Sequence, residues 1–103
     1  MTGFEENTFR TRDGINLYYR DYNGLAGKTP ILCLSGTGGN SKVYDDLAPH
    51  IAQTRRVLTM DWRGHGRSDR DPDWQHYHYD VDRDDVIEFL ASLGVSKIVT
   101  VGT

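Results

Sequence analysis

From Ile31 to Lys42 the chain reads ILCLSGTGGNSK, a short apolar run that breaks into three glycines, small hydroxyl residues and a lysine. Glycine lets another group approach a backbone closely. Such a loop can cradle a phosphate, present N–H groups to an oxyanion, or simply turn the chain. A phosphate cradle needs Gly, four residues, then Gly-Lys followed by Ser or Thr. After Gly36 those last three positions hold Ser41, Lys42 and Val43, so two required residues are wrong. The dinucleotide fingerprint G-x-G-x-x-G fails too, because Ser41 stands where its third glycine belongs. Nucleotide binding is set aside, and an oxyanion pocket and a structural turn remain.

The second segment with chemical potential is DWRGHGRSD, Asp61 to Asp69. Gly64 and Gly66 would let the chain reverse through conformations closed to residues bearing a Cβ. Within it His65 reads as structural, and Ser68 reads as a local backbone cap rather than a nucleophile. His76 and His78 stand two apart in WQHYHYD, which on an extended segment places both on one side. Without a nearby cysteine or a helical i, i+4 partner they read as a loop before a helix, and no metal site is expected. Asp80, Asp82, Asp84 and Asp85 crowd a helix start, where negative charge complements the helix dipole.

These loops need elements to hold them. Phe9 and Thr11, then Ile15, Leu17 and Tyr19, alternate on either side of Arg12-Asp13-Gly14, which predicts a hairpin closed by a two-residue Asp-Gly turn. Ile31 to Leu34 is continuously apolar, as expected of a strand covered on both faces. Tyr44, Leu47, Ala48 and Ile51 predict one side of a helix beginning near Ser41. Val57, Leu58 and Met60 form the next strand. Val86, Phe89, Leu90 and Leu93 repeat the helical spacing, and Gly94 marks its stop. SKIVTVGT closes the chain as another buried-strand run. Hairpin, strand, helix, strand, helix, strand implies an α/β fold: a mostly parallel sheet with helices on its faces.

Bulk properties agree with one small soluble domain. At 103 residues, 26% charged and with net charge −3, the chain has the balance of a globular protein and no basic stripe for nucleic acid. Cys33 stands alone in an apolar run, so no internal disulfide can form. The start, MTGFEENTFR, has no basic head or apolar segment, and nowhere do eighteen apolar residues follow one another. The expectation is a cytoplasmic protein without membrane or nucleic-acid partners.

Taken together, the segment D-x-R-G-x-G-x-S after a strand, the stretch LCLSGTGGNSKVYDDLAPHI and the stretch YDVDRDDVIEFLASLGVSKIVTVGT resemble the α/β-hydrolase fold family, in order and spacing, from about Phe9 to Thr103. The resemblance implies that residues 1–103 are the N-terminal portion of one such domain. Gly102 and Thr103 would be the first two positions of the small-x-nucleophile-x-small turn, with the nucleophile next and the acid and histidine later still. Most relatives carry His-Gly where this chain has Ser35-Gly36. By carry-over, Gly36 and Thr37 form the oxyanion loop, with the Thr37 N–H as donor. Ser35 counts against dehalogenase-like and epoxide-hydrolase-like subfamilies.

The activity implied is cofactor-free hydrolysis of an ester, lactone or similar acyl compound by a nucleophile-His-acid triad, on a small-molecule substrate. The resemblance also implies that the remaining C-terminal segment of the same protein is a partner, and that this fragment alone is inactive. A WRGHG turn, here Trp62 to Gly66, is shared with cofactor-free dioxygenases of the same fold, which is the alternative. A non-catalytic small-molecule-binding member is a further one.

Overall fold

A computed structural model of the chain describes residues 4–22, 29–34, 44–95 and 98–102, without the side chains of Tyr79, Val101 and Gly102. The N-terminal hairpin pairs β1 (Glu5–Arg10) antiparallel with β2 (Asn16–Tyr22), Glu5 opposite Asp21 and Arg10 opposite Asn16. Its turn differs from the expected one. The Thr11 carbonyl accepts from the Gly14 N–H at 3.0 Å, and Thr11 N–H donates to the Ile15 carbonyl at 2.9 Å. Only Gly14 takes a positive φ, 87°. Asp13 keeps an ordinary φ, and its carboxylate is engaged by the Thr11 hydroxyl and by Arg63. The link is therefore the wider Thr11–Ile15 loop rather than a two-residue turn.

Strands β3 (Ile31–Leu34), β4 (Val57–Met60) and β5 (Val99–Gly102) complete a sheet of order β1-β2-β4-β3-β5. It is parallel across β4, β3 and β5 and antiparallel where β2 meets its two neighbours. Side chains alternate across the sheet, which divides the core in two. Leu17, Tyr19, Leu32, Leu58 and Met60 pack with Phe89 of helix α2 (Tyr79–Ser92), while Tyr22, Cys33 and Val57 pack with Tyr44 and with Ala48 of helix α1 (Leu47–Ile51). A helix on each face explains why the central strand β3, ILCL, is apolar without interruption. Phe89 is fully buried, 4.7 Å edge-on from the Tyr19 ring. Its burial contributes about 2–3 kcal/mol and the ring pair adds roughly 1.

Helix α1 is shorter than the sequence suggests. Pro49 has no N–H, and its ring clashes with the carbonyl four residues back, so it is tolerated only in a first turn. Regular helix accordingly runs from Leu47. Tyr44 and Ala48 are buried as expected, but Leu47 is 43% exposed and does not line the buried side. Val99 of β5, also expected to be buried, is 46% exposed, because among the described residues β5 has a strand neighbour only on its β3 side. Helix α2 ends as predicted: Gly94 takes φ 71°, and the Val95 N–H returns to the Leu90 carbonyl at 3.0 Å. No helix among the described residues is long and apolar enough to cross a membrane.

Candidate functional site

Parallel pairing brings the carboxyl ends of β3, β4 and β5 to one edge, with Leu34 opposite Met60 on one side and Gly102 on the other. In open parallel sheets this is the edge at which ligands bind. The end of β3 is fixed from the side: Tyr44, itself buried, donates its hydroxyl to the Leu34 carbonyl at 2.6 Å. Gly36 and Thr37, the oxyanion residues implied by resemblance, lie outside the described residues, as does Thr103. Just behind this edge Cys33 and Thr59 are paired across β3 and β4, both buried. Burial pushes the Cys33 thiol up to about 11, so it behaves as an inert hydrophobe rather than a nucleophile.

The chain leaving β4 forms a stitched turn. Asp61 N–H donates to the Tyr18 carbonyl at 2.9 Å, and the Ser68 hydroxyl donates to the Asp61 carbonyl at 2.6 Å while accepting from the Tyr18 N–H at 2.8 Å. Ser68 thus replaces a strand partner for β2 and is spent on backbone. Asp69 N–H donates to the Asn16 carbonyl at 2.8 Å, closing the turn onto the hairpin. Gly64 and Gly66 take φ of 77° and 51°, the conformations their sequence positions suggested. Space also demands glycine at position 64, where a Cβ would lie 2.7 Å from the Tyr77 ring.

Beneath this turn lies a cluster that the sequence reading missed. Arg63 is fully buried and donates to Asp85 from Nε at 2.8 Å and Nη2 at 2.7 Å, and from Nη1 to Asp71 at 2.7 Å and Asp13 at 2.8 Å. One guanidinium therefore ties the turn after β4, the hairpin loop and helix α2 together. Arg12 adds a second cation, its Nη1 3.3 Å from Asp85 and 2.9 Å from Glu88. Arg63 donating to Asp13, with the Thr11 hydroxyl helping, holds that carboxyl well below the usual carboxylate range. Burial alone would raise Asp71, but the Asp73 N–H, the His76 ring and Arg63 outweigh it, and the carboxyl titrates low. Burial, followed by the charge of Asp85, pushes Asp82 the other way.

Asp85 corrects one expectation directly. It was grouped with the acidic residues complementing the helix dipole, yet it is fully buried and bound to Arg63. The signal was present in the spacing. Asp85 precedes Phe89 by four residues, on the apolar stripe, and a carboxylate there demands a buried cation. The histidines also separate by role: His65 Nδ1 meets the Arg63 carbonyl at 3.0 Å, His78 accepts from the Asp80 N–H to cap α2, and His76 joins the cluster through Asp71.

Asp13, Asp71 and His76 each offer a ligand atom within 4.8 Å of one another. Their contacts in this structure are hydrogen bonds and ion pairs within the cluster. His76 Nδ1 is 2.6 Å from Asp71 Oδ2, a hydrogen-bond distance, whereas two ligands about 2.1 Å from one cation stand roughly 3 Å apart. Arg63 Nη1 also already occupies both carboxylates.

Comparison with known proteins places this architecture. Residues 29–103 match the family profile described as alpha/beta hydrolase fold. The chain belongs to that family. It is 32% identical over 98 residues to the sn-1-specific diacylglycerol lipase ABHD11 of Danio rerio, covering 93% of this chain and 30% of the relative. It is 38% identical over 56 residues to the 2-heptyl-3-hydroxy-4-quinolone dioxygenase AqdC2 of Rhodococcus erythropolis, covering 53% of this chain and 21% of that protein. The crystal structure of an alpha/beta hydrolase from Novosphingobium aromaticivorans superposes with a TM-score of 0.95 at 34% identity, covering all of this chain and 36% of the other. The chain thus spans about a third or less of the length of these relatives.

Proposed function

We propose that this chain supplies the oxyanion side of an α/β-hydrolase that cleaves an ester, lactone or similar acyl compound. Nucleophile, histidine and acid would come from a C-terminal segment that this sequence does not contain. The observation that carries the reading is the register of β3 with β5, which ends Leu34 opposite Gly102, within a chain of this family. The residues after Leu34 are the proposed donors, Gly36 and Thr37, and the position after Thr103 is where the nucleophile is expected. The Thr37 N–H would meet the carbonyl oxygen as negative charge develops on it, after the nucleophile attacks and the histidine takes its proton.

Two measurements test this. The pure 103-residue chain, verified by intact mass, is expected to show no turnover of a p-nitrophenyl ester, and turnover would sink the division of labour. In a preparation that also contains the nucleophile-bearing segment, Thr37→Pro removes the N–H. The kcat is then expected to fall about 10²- to 10³-fold with little change in KM. An unchanged kcat would remove Thr37 from the reaction.

A second reading is cofactor-free dioxygenation. It is favoured by the Rhodococcus relative's 38% identity and by the WRGHG turn, Trp62 to Gly66. Oxygen uptake without added metal, in place of ester cleavage, would select it.

A further inference from the structure

Tyr44 is almost wholly buried, its ring packed in one cluster with Tyr22, Cys33, Ala48 and Val57. Phenylalanine would fill that space as well, so packing accounts for the ring and leaves the hydroxyl to be explained. A buried tyrosine hydroxyl needs a partner. This one donates to the Leu34 carbonyl at 2.6 Å, toward the short end of the range for such bonds. Leu34 is the last residue of β3, and Tyr44 stands just before α1. The bond therefore joins the two residues that flank positions 35–43, which include the proposed oxyanion donors.

We propose that the Tyr44 hydroxyl is a positioning group for those donors, fixing the peptide from which the chain leaves β3 and so the aim of the Thr37 N–H. The inference rests on the reading of Gly36 and Thr37 given above. Tyr44 touches neither the substrate nor the reacting atoms in this role, and it acts through the backbone. A peptide group is planar. Holding the Leu34 carbonyl thus orients the whole peptide group that links Leu34 to Ser35, two residues before the proposed donor.

Both ends of the bond have stiff supports. β3 is paired from Ile31 to Leu34 with β4 on one side and β5 on the other. The Tyr44 ring is held among Tyr22 of β2, Cys33 of β3, Val57 of β4 and Ala48 of α1. Such anchoring matters because an oxyanion donor must stand about 2.7–3.1 Å from the oxygen as charge develops. A misplacement of about 1 Å can cost roughly 100-fold in rate. The contribution is made in the transition state, so its loss is read in kcat rather than in KM.

The test is Tyr44→Phe in the preparation that contains the nucleophile-bearing segment, with a p-nitrophenyl ester as substrate and Thr37→Pro and Tyr22→Phe beside it. Each rate is referred to the folded fraction measured by thermal unfolding. Tyr22→Phe removes a hydroxyl from the same core, one that serves Arg20. Tyr44→Phe is expected to lower kcat about 5- to 20-fold, less than Thr37→Pro, with KM held within about twofold. Tyr22→Phe should leave kcat unchanged. A hydroxyl with a structural role alone would lower the unfolding temperature and leave the kcat of the folded fraction as it was. If Thr37→Pro lowers kcat while Tyr44→Phe does not, acts on KM instead, or is matched by Tyr22→Phe, the positioning role is overturned and the oxyanion reading stands. If Thr37→Pro leaves kcat unchanged, both are overturned.

Discussion

Two arginines of this chain each meet aspartates of helix α2, and they live in different worlds. Arg63 is fully buried, with Asp85 at 2.7 Å and Asp71 at 2.7 Å, both nearly or wholly hidden. Arg83, 61% exposed, reaches Asp80 at 3.3 Å and Asp84 at 3.2 Å at the helix surface. Residue types and pairing look alike in the sequence. The difference is position on the helix: Asp85 shares the stripe of Phe89 that meets the sheet, and Asp84 and Asp80 do not. Buried, a charge that loses its partner has no water to fall back on. Exposed, it has water at once, and the pair contributes little.

The sharpest way to break this comparison is Asp85→Asn, which keeps the shape and removes the charge. Arg63 would retain Asp71 and Asp13 but lose its only fully buried anion, and stability is expected to fall by about 3–5 kcal/mol in urea unfolding. The neighbouring change Asp84→Asn, at a half-exposed site, should be close to neutral. Equal effects of the two would mean that burial does not separate the clusters.

Glycine positions sharpen the same contrast between packed and open surroundings. Gly64 and Gly94 both take positive φ, 77° and 71°, but only Gly64 has a neighbour where a Cβ would go. Alanine at Gly94 should cost about 1 kcal/mol for the backbone alone. At Gly64 the Tyr77 ring, tethered through its hydroxyl to Asp71, adds a clash, and the total should reach roughly 2–3 kcal/mol. Thermal unfolding of the two variants measures the difference directly.

How much of this could be read beforehand depends on what each residue answers to. Strands β3 and β4 and helix α2 follow from apolar period and run length, because a sheet covered on both faces needs such residues wherever it lies. The start of α1 was misplaced although Pro49 was in plain view, since apolar spacing outweighed a backbone constraint. The hairpin turn was misjudged for a different reason: Asp13 answers to Arg63, fifty residues away, and no local rule contains that contact. Asp85 was legible but misassigned, because a run of four aspartates in six positions suggests one shared cause when there are two. The oxyanion residues Gly36 and Thr37 came from family resemblance alone, since a glycine loop specifies close approach without naming what approaches.

Arg83→Ala sets the lower end of the scale. The side chain donates to Asp84 from Nε and Nη2, both at 3.2 Å, and to Asp80 at 3.3 Å, distances long for charge-assisted bonds. Holding a long exposed side chain in that geometry costs rotamer entropy comparable to what the contacts return. Alanine also favours helix more than arginine does, by a few tenths of a kcal/mol. Against this, the variant leaves Asp80 and Asp84 near the positive end of the helix dipole, where their charge is welcome without a partner. The terms nearly cancel, and the change in unfolding free energy is expected to stay within about 0.5 kcal/mol. A loss of several kcal/mol would mean that the surface pairs of α2 are coupled to the buried cluster through Arg12, which touches Asp84 at 3.9 Å and Asp85 at 3.3 Å, and the two arginines would then belong to one network.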